Sequence, residues 1–224
     1  MKIKKKILKN GLRLILAPQP QSLAATVLIL VEAGSEYETK RINGISHFLE
    51  HLTFKGTTRR PKPGAIAEEL ASLGAESNAF TSQEHTGYWA KAEGHKVPQI
   101  LDIVSDLYLN PVFNPEEIEK ERGVVIEEIN MYEDTPMSQV HSEFNKILYG
   151  NQPAGWDVIG EKSIIKKLNR DDFVDYRDRF YHAGATAVVI AGRFDEKSVT
   201  RYVEKTFGAM PHRRHVVKPS TKEV

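Results

Sequence analysis

The chain has 224 residues, with 31 lysines and arginines against 30 aspartates and glutamates, so its formal net charge is +1. This balance gives no electrostatic argument for a nucleic-acid partner, and no apolar run approaches the ~20 residues of a membrane-spanning helix. The basic start lacks a following apolar segment and cysteine is absent, so we expect a cytoplasmic protein without a secretory signal. Any bound metal would be held by histidine and carboxylate groups.

The first part of the chain predicts strands that lead into a helix. Residues 3–17 form two apolar segments around Asn10-Gly11, which predicts a hairpin with a type I′ turn. Residues 24–31 are nearly all apolar, as expected of a central buried strand. A polar connection follows, and residues 45–54 then carry apolar side chains at helical spacing.

The rest of the chain mixes further helices and strands. The helices are predicted at 64–73, 97–108, 115–132, 137–149, 170–180 and 198–207, and the strands at 75–81, 84–92 and 186–192. Asn114 and Pro115 give a strong start to the third of these helices, as cap and first helical residue. This order predicts an α+β fold, a mostly antiparallel sheet with helices packed on one side. We expect a single domain over residues 1–210 and a polar linker over 211–224 that leads toward a missing second domain.

The helix at 45–54 carries the most distinctive pattern of the sequence. His47, Glu50 and His51 fall within one arc of this helix, opposite its apolar face. Two imidazoles at positions i and i+4 can converge on one metal ion, with the carboxylate standing beside it. The order His-x-x-Glu-His is a recurring zinc-peptidase motif. The competing interpretation is a solvated helix face that carries these three residues by chance.

A catalytic zinc needs a third protein ligand from a rigid element. The helix predicted at 115–132 offers Glu121 and Glu128, which are seven residues apart and therefore share a face. Burying a carboxylate among apolar neighbours costs free energy unless the carboxylate has a partner. Glu127 points in another direction from the helix and is expected to be solvated. Helix geometry alone does not choose between Glu121 and Glu128.

The run from Gly44 to Thr57 resembles the signature of the pitrilysin-type (M16) metallopeptidases, the family of mitochondrial processing peptidase and insulin-degrading enzyme. The likeness extends from about residue 7 to residue 208 in the family's order. It is similar to an N-terminal catalytic domain of the processing-peptidase β-subunit type. The resemblance implies an M16/LuxS-like metallohydrolase fold and a zinc-dependent endopeptidase that cuts extended peptides.

The resemblance also implies a role for each candidate residue. Zn²⁺ would be held by His47, His51 and Glu128. Glu50 would act as general base, and Glu121 would support the site as the family's second glutamate. The segment 76–81 resembles the family strand that pairs with bound peptide, and the implied substrate-binding residues are Asn78, Ala79 and Phe80.

Members of this family combine two or four copies of this domain, and the metal-free copy closes over the metal-bearing one. We therefore expect a peptide substrate and a second M16 domain or subunit, in a homo- or heterodimer, as partners. The isolated chain is expected to bind metal but to cleave weakly. One alternative is a metal-binding but non-cleaving subunit that acts as a scaffold. A LuxS-type lyase is disfavoured, because such enzymes use a cysteine ligand and this chain contains no cysteine.

Overall fold

The computed structural model describes residues 3–213 and 216–223. The described strands are β1 (Lys4–Ile7), β2 (Arg13–Pro18), β3 (Ala24–Val31), β4 (Glu76–Thr81), β5 (Thr86–Glu93) and β6 (Thr186–Gly192). The described α-helices are α1 (Ile45–Thr53), α2 (Ala65–Ser72), α3 (Val97–Leu109), α4 (Pro115–Glu133), α5 (Pro136–Tyr149), α6 (Lys162–Ile165), α7 (Arg170–Phe180) and α8 (Glu196–Phe207). Among these helices, none combines the length and apolar character needed to cross a bilayer.

The six strands form one sheet in the order β1-β2-β6-β3-β5-β4. Among the described strands, β2 and β6 are the one parallel pair, and all other neighbours are antiparallel. The sheet is therefore mostly antiparallel, and the predicted α+β class is confirmed. β1 and β4 are the edge strands, which leaves one side of β4 without a strand partner among the described residues.

One face of the sheet is buried and the other is partly open. Val27 of β3 lies opposite Ala90 and Ile190 in the neighbouring strands, and all three side chains are buried under helices that include α3. On the opposite face, Leu28 between Trp89 and Val189 is only half-buried. The prediction of helices packed on one side is confirmed. The apolar run of β3 suggested burial on both faces, but its second face keeps partial access to solvent.

The N-terminal hairpin forms, but its turn differs from the prediction. Ile7 pairs with Arg13, so the connection spans residues 8–12. A type I′ turn needs positive φ at both central residues, and among the described residues only glycines have positive φ. The Asn10 side chain instead donates hydrogen bonds to the carbonyls of Phe207 and Met210, at 2.8 and 3.2 Å. These contacts with the end of α8 favour the longer loop.

Two further helices begin with an asparagine side chain as their cap. The Asn114 side chain accepts a hydrogen bond from the Glu116 amide at the start of α4, as predicted. The start of α7 is capped by Asn169 in a capping box closed by Asp172. The short helix α6 was not predicted, because four residues give too little periodicity to recognise. Residues 211–213 and 216–223 contain no helix or strand, and the predicted linker boundary at residue 210 stays a prediction.

Candidate metal centre

Helix α1 is anchored in the core by its apolar face. The buried apolar side chains of this helix are Ile45, Phe48, Leu49 and Leu52. The ring of Phe48 packs edge-to-face on Phe173 of α7, with ring centroids 4.9 Å apart. This burial fixes the rotation of α1 about its axis, so the two histidines project from a rigid helix on its opposite side.

The first turn of α1 is held by a close backbone contact. Gly44 precedes the helix with φ +91°, and a Cβ at this position would lie 2.6 Å from the Ile159 carbonyl oxygen. Gly160 has φ +82°, and a Cβ there would lie 2.5 Å from the Asn43 carbonyl oxygen. Both positions require glycine, because the left-handed conformation and the close approach exclude a side chain. The start of α1 therefore touches the segment around Gly160 backbone to backbone.

A buried carboxylate takes the place of a capping side chain on α1. Glu38 accepts hydrogen bonds from the amides of Gly44 and Ser46, at 2.7 and 2.9 Å. The Asn43 side-chain amide and the Ser46 hydroxyl also donate to it, at 3.0 and 2.6 Å. Burial raises the pKa of Glu38 to about 7, although these hydrogen bonds favour its ionised form. Glu38 thus satisfies the helix N-terminus from outside the helix.

His47, His51 and Glu128 are brought together by the packing of α1 against α4. The Nε2 atoms of His47 and His51 lie 3.8 and 3.5 Å from Glu128 Oε2. One ligand atom from each of the three residues lies within 4.8 Å of the others. A single cation between them can reach all three at ordinary ligand distances of about 2 Å.

The chemistry of these three groups suits zinc. Burial, together with the neighbouring His51, lowers the pKa of His47 to about 3, so His47 is the neutral imidazole that a metal ligand must be. Two imidazole nitrogens and one carboxylate oxygen are a donor set of catalytic zinc, which leaves a further position open.

Glu121 contacts this cluster through His51. Its Oε1 atom is 3.0 Å from Nδ1 of His51, and its Oε2 atom is 2.6 Å from Nζ of Lys55. Burial acts to raise the pKa of Glu121, but the hydrogen bonds from His51 and Lys55 outweigh it and the pKa is lowered. An ionised Glu121 accepts the Nδ1 proton of His51 and leaves Nε2 of that ring free toward Glu128.

Glu50 stands beside the cluster without joining it. Among the described residues, the group able to hold a metal comprises the two histidines and Glu128, and Glu50 is not part of it. Thr81 of β4 donates a hydrogen bond from its hydroxyl to Glu50 Oε2. Burial raises the pKa of Glu50, against the opposing effects of Thr81 and His51. A raised pKa makes this carboxylate a better proton acceptor than an ordinary glutamate.

The cluster opens into a cleft of about 1450 Å³. Asn78, Ala79 and Phe80 of β4 line this cleft together with the two histidines. Further residues of α4, the polar side of α5 and the loop before α6 also line it. An extended chain in the cleft would therefore meet the free edge of β4 beside the metal ligands.

Three residues that support the candidate site or the start of α1 were not predicted from the sequence. Lys55 follows His51 by four residues, so helical spacing could have placed the two side chains on one side of α1. Thr81 and Glu38 carry no such local signal, because their contacts depend on the packing of β4 and of the loop before α1.

An α+β domain whose open cleft brings together two histidines and a carboxylate that could hold a metal, with a second carboxylate beside them, has the arrangement of a metallopeptidase. Residues 13–162 match the family described as Insulinase (Peptidase family M16), and residues 167–224 match the Peptidase M16 inactive domain. The chain belongs to peptidase family M16.

Curated relatives support this assignment. The chain is 37% identical over 207 residues to an uncharacterized zinc protease, YmxG, of Bacillus subtilis, covering 92% of this chain and 50% of that protein. It is 38% identical over 208 residues to the mitochondrial-processing peptidase subunit beta of Saccharomyces cerevisiae, covering 91% and 44%. The chain thus spans about half the length of these relatives.

Solved structures agree in fold. A protease from Helicobacter pylori superposes with a TM-score of 0.90 at 26% identity, over 100% of this chain and 54% of that one. A peptidase M16 inactive domain from Pseudomonas fluorescens superposes with a TM-score of 0.89 at 15% identity, over 98% and 53%. The second similarity concerns the fold alone.

Proposed function

We propose that the chain carries the catalytic half of a zinc-dependent endopeptidase, in which His47, His51 and Glu128 bind the metal. The observation that carries this proposal is the convergence of their ligand atoms within 4.8 Å at the floor of an open cleft. Family membership and the zinc-protease relatives add to it. Zinc, when bound, would supply a Lewis acid that polarises the scissile carbonyl and activates water.

The protein's own groups then have distinct tasks. Glu50 takes a proton from the attacking water and delivers it to the leaving amine, a role that fits its raised pKa and its position outside the ligand set. Thr81 holds the Glu50 carboxylate by donating a hydrogen bond to one oxygen. Glu121 orients His51 through its Nδ1 proton.

The edge of β4 is proposed as the binding strand for substrate. An extended peptide can add to a free strand edge through main-chain hydrogen bonds, which give affinity with little sequence preference. Asn78, Ala79 and Phe80 lie on this edge strand and line the cleft. Phe80 is partly exposed there, so its ring can contact a substrate side chain.

A second M16 domain is the proposed partner, because the curated relatives are about twice as long as this chain. Such a domain would cover the open cleft and exclude water from the reacting groups. The isolated chain is accordingly expected to bind zinc well and to cleave peptides slowly.

A non-cleaving, metal-binding subunit is the alternative proposal. Residues 167–224 match the inactive-domain description, and the chain is 33% identical over 199 residues to the cytochrome b-c1 complex subunit 1 of Mus musculus. The complete set of His47, Glu50 and His51 favours the peptidase, because a scaffold has no use for a free carboxylate beside the metal.

The test combines metal binding with peptide cleavage. Zinc titration of the wild-type chain and of Glu50→Gln should give one site of similar affinity in both. Fluorogenic peptides should be cleaved by the wild type only, faster when the polypeptide carrying the second M16 domain is added. Zinc binding without cleavage under both conditions would establish the scaffold, and absence of zinc binding would overturn both proposals.

A further inference from the structure

Lys55 contacts Glu121 next to the candidate metal centre and does not line the cleft. Its amide donates to the Leu52 carbonyl at 3.1 Å, so its backbone continues the last turn of α1. Its Nζ atom lies 2.6 Å from Glu121 Oε2, and its side chain is half-buried. Lys55 lies in the turn that directly follows α1, four residues after His51, so both side chains can reach the same carboxylate on α4.

The two oxygens of Glu121 are divided between these two partners. Oε1 faces Nδ1 of His51, and Oε2 faces Nζ of Lys55. The Glu121 side chain is only 8% exposed, so water cannot readily replace either partner. Without the ammonium group one buried carboxylate oxygen would lose its partner, and the carboxylate could rotate away from the imidazole to find another.

We propose that Lys55 is a positioning residue of the metal centre, which holds Glu121 in the orientation that fixes the ring and tautomer of His51. This inference rests on the proposed function, because it takes His51 as a zinc ligand through Nε2. Groups behind a metal ligand alter affinity about 10- to 100-fold when they are removed. The contact between Lys55 and Glu121 is therefore functional as well as structural.

The test is the zinc affinity of Lys55→Met, which keeps most of the aliphatic stem and removes the charge. We expect a zinc dissociation constant about 10- to 100-fold higher than that of the wild type, measured by competition with a chromophoric chelator. Lys55→Arg keeps a cation near Glu121 and should recover most of this loss. The midpoint of thermal unfolding in excess chelator reports the structural cost of leaving one Glu121 oxygen without its partner, so zinc affinities are compared at a temperature at which both proteins are folded.

Lys120→Met provides the matched control. Lys120 forms an ion pair with Glu117 on the same helix α4, at 2.6 Å, but its side chain is 68% exposed and does not line the cleft. Loss of this surface pair should leave the zinc affinity unchanged.

A double-mutant cycle identifies the route of the effect. If Lys55 acts through Glu121, then adding Lys55→Met to Glu121→Gln should weaken zinc binding no further than Glu121→Gln alone. Fully additive losses would show that Lys55 acts by another route and would overturn the proposal, as would an unchanged affinity in Lys55→Met.

The two proposals fail in different ways. If His51→Ala binds zinc as tightly as the wild type, the ligand set and the proposed function are wrong. If His51→Ala loses zinc while Lys55→Met retains wild-type affinity, the ligand set stands and the role of Lys55 is wrong.

Discussion

Helices α1 and α5 line the same cleft but are anchored in opposite ways. Six of the nine residues of α1 are buried, and Phe48 among them has no exposed surface. The fourteen residues of α5, all of which the structure describes, include no buried residue, and Phe144 is 60% exposed. The polar side of α5 faces the cleft, whereas the side with Met137, Val140, Phe144 and Ile147 is exposed.

This difference separates two properties of the site. The proposed metal ligands on α1 are held by the hydrophobic core of the chain itself, so we expect metal affinity and folding stability to depend on the same packing. The α5 wall has few buried contacts, and such segments open or shift at a low cost in free energy. We therefore expect the cleft to be rigid on the side of α1 and to change shape more readily on the side of α5.

The largest effect is expected on zinc affinity, at Glu128, the proposed third ligand that α4 brings to α1. Glu128→Ala removes one of three zinc ligands and should weaken zinc binding by about three orders of magnitude or more, or ~4 kcal/mol. Isothermal titration with zinc measures this change. Glu127→Gln alters the exposed neighbouring carboxylate and should bind zinc as the wild type does. Equal losses in both variants would contradict the ligand assignment.

The next effect compares the same residue type in the two helices. Phe48→Ala should reduce the free energy of unfolding by about 3–5 kcal/mol, because it opens a cavity in the core beside Phe173. Phe144→Ala on α5 removes an exposed ring and should change it by less than about 0.5 kcal/mol. Urea denaturation of both variants measures the difference. Similar losses would show that α5 is part of the core.

Glu38 gives the start of α1 a pH dependence. Its pKa is about 7 in the folded chain against 4.5 for an ordinary glutamate, so the folded state retains a proton that the unfolded state has released. The stabilisation linked to this proton is complete below about pH 4.5 and is lost as the pH rises through 7. Relative to Glu38→Gln, wild-type stability should therefore fall by roughly 3 kcal/mol between pH 4.5 and 8.

Urea denaturation across this pH range measures the Glu38 effect. Glu127→Gln serves again as the comparison variant, because it makes the same substitution at an exposed position. A stability difference between wild type and Glu38→Gln that is independent of pH would refute the assignment of the proton to Glu38.

The smallest effect is expected on the exposed side of α5. Met137→Gln combined with Ile147→Gln should leave the free energy of unfolding within about 0.5 kcal/mol per substitution, because neither side chain is buried in the chain. Zinc affinity should also be unchanged. A loss of several kcal/mol would mean that this face packs against the chain after all.

Much of the fold was predictable because its helices and strands carry strong periodic patterns. The hairpin turn was not, since the local preference of Asn10-Gly11 for a type I′ turn is overridden by side-chain contacts of Asn10 with the end of α8. Such contacts join residues about two hundred positions apart, and no local pattern reports them.

The candidate site was likewise predictable only in part. The spacing of His47, Glu50 and His51 placed them on one side of α1, but helix geometry left Glu121 and Glu128 equivalent. In the folded chain they differ by their partners, since Glu121 faces Nδ1 of His51 and Glu128 faces Nε2. That distinction depends on the register of α4 against α1, which a single helix cannot reveal.

The contact between Gly44 and Gly160 limits where substitutions can change the size of the cleft. Gly160 and Ile159 lie in its lining, directly against the first turn of α1. At Gly160 the wall is main chain, and a side chain there would meet the Asn43 carbonyl oxygen, so no substitution at this position can narrow the cleft. A change in what the cleft accommodates must therefore come from lining positions that carry side chains, such as those of α5.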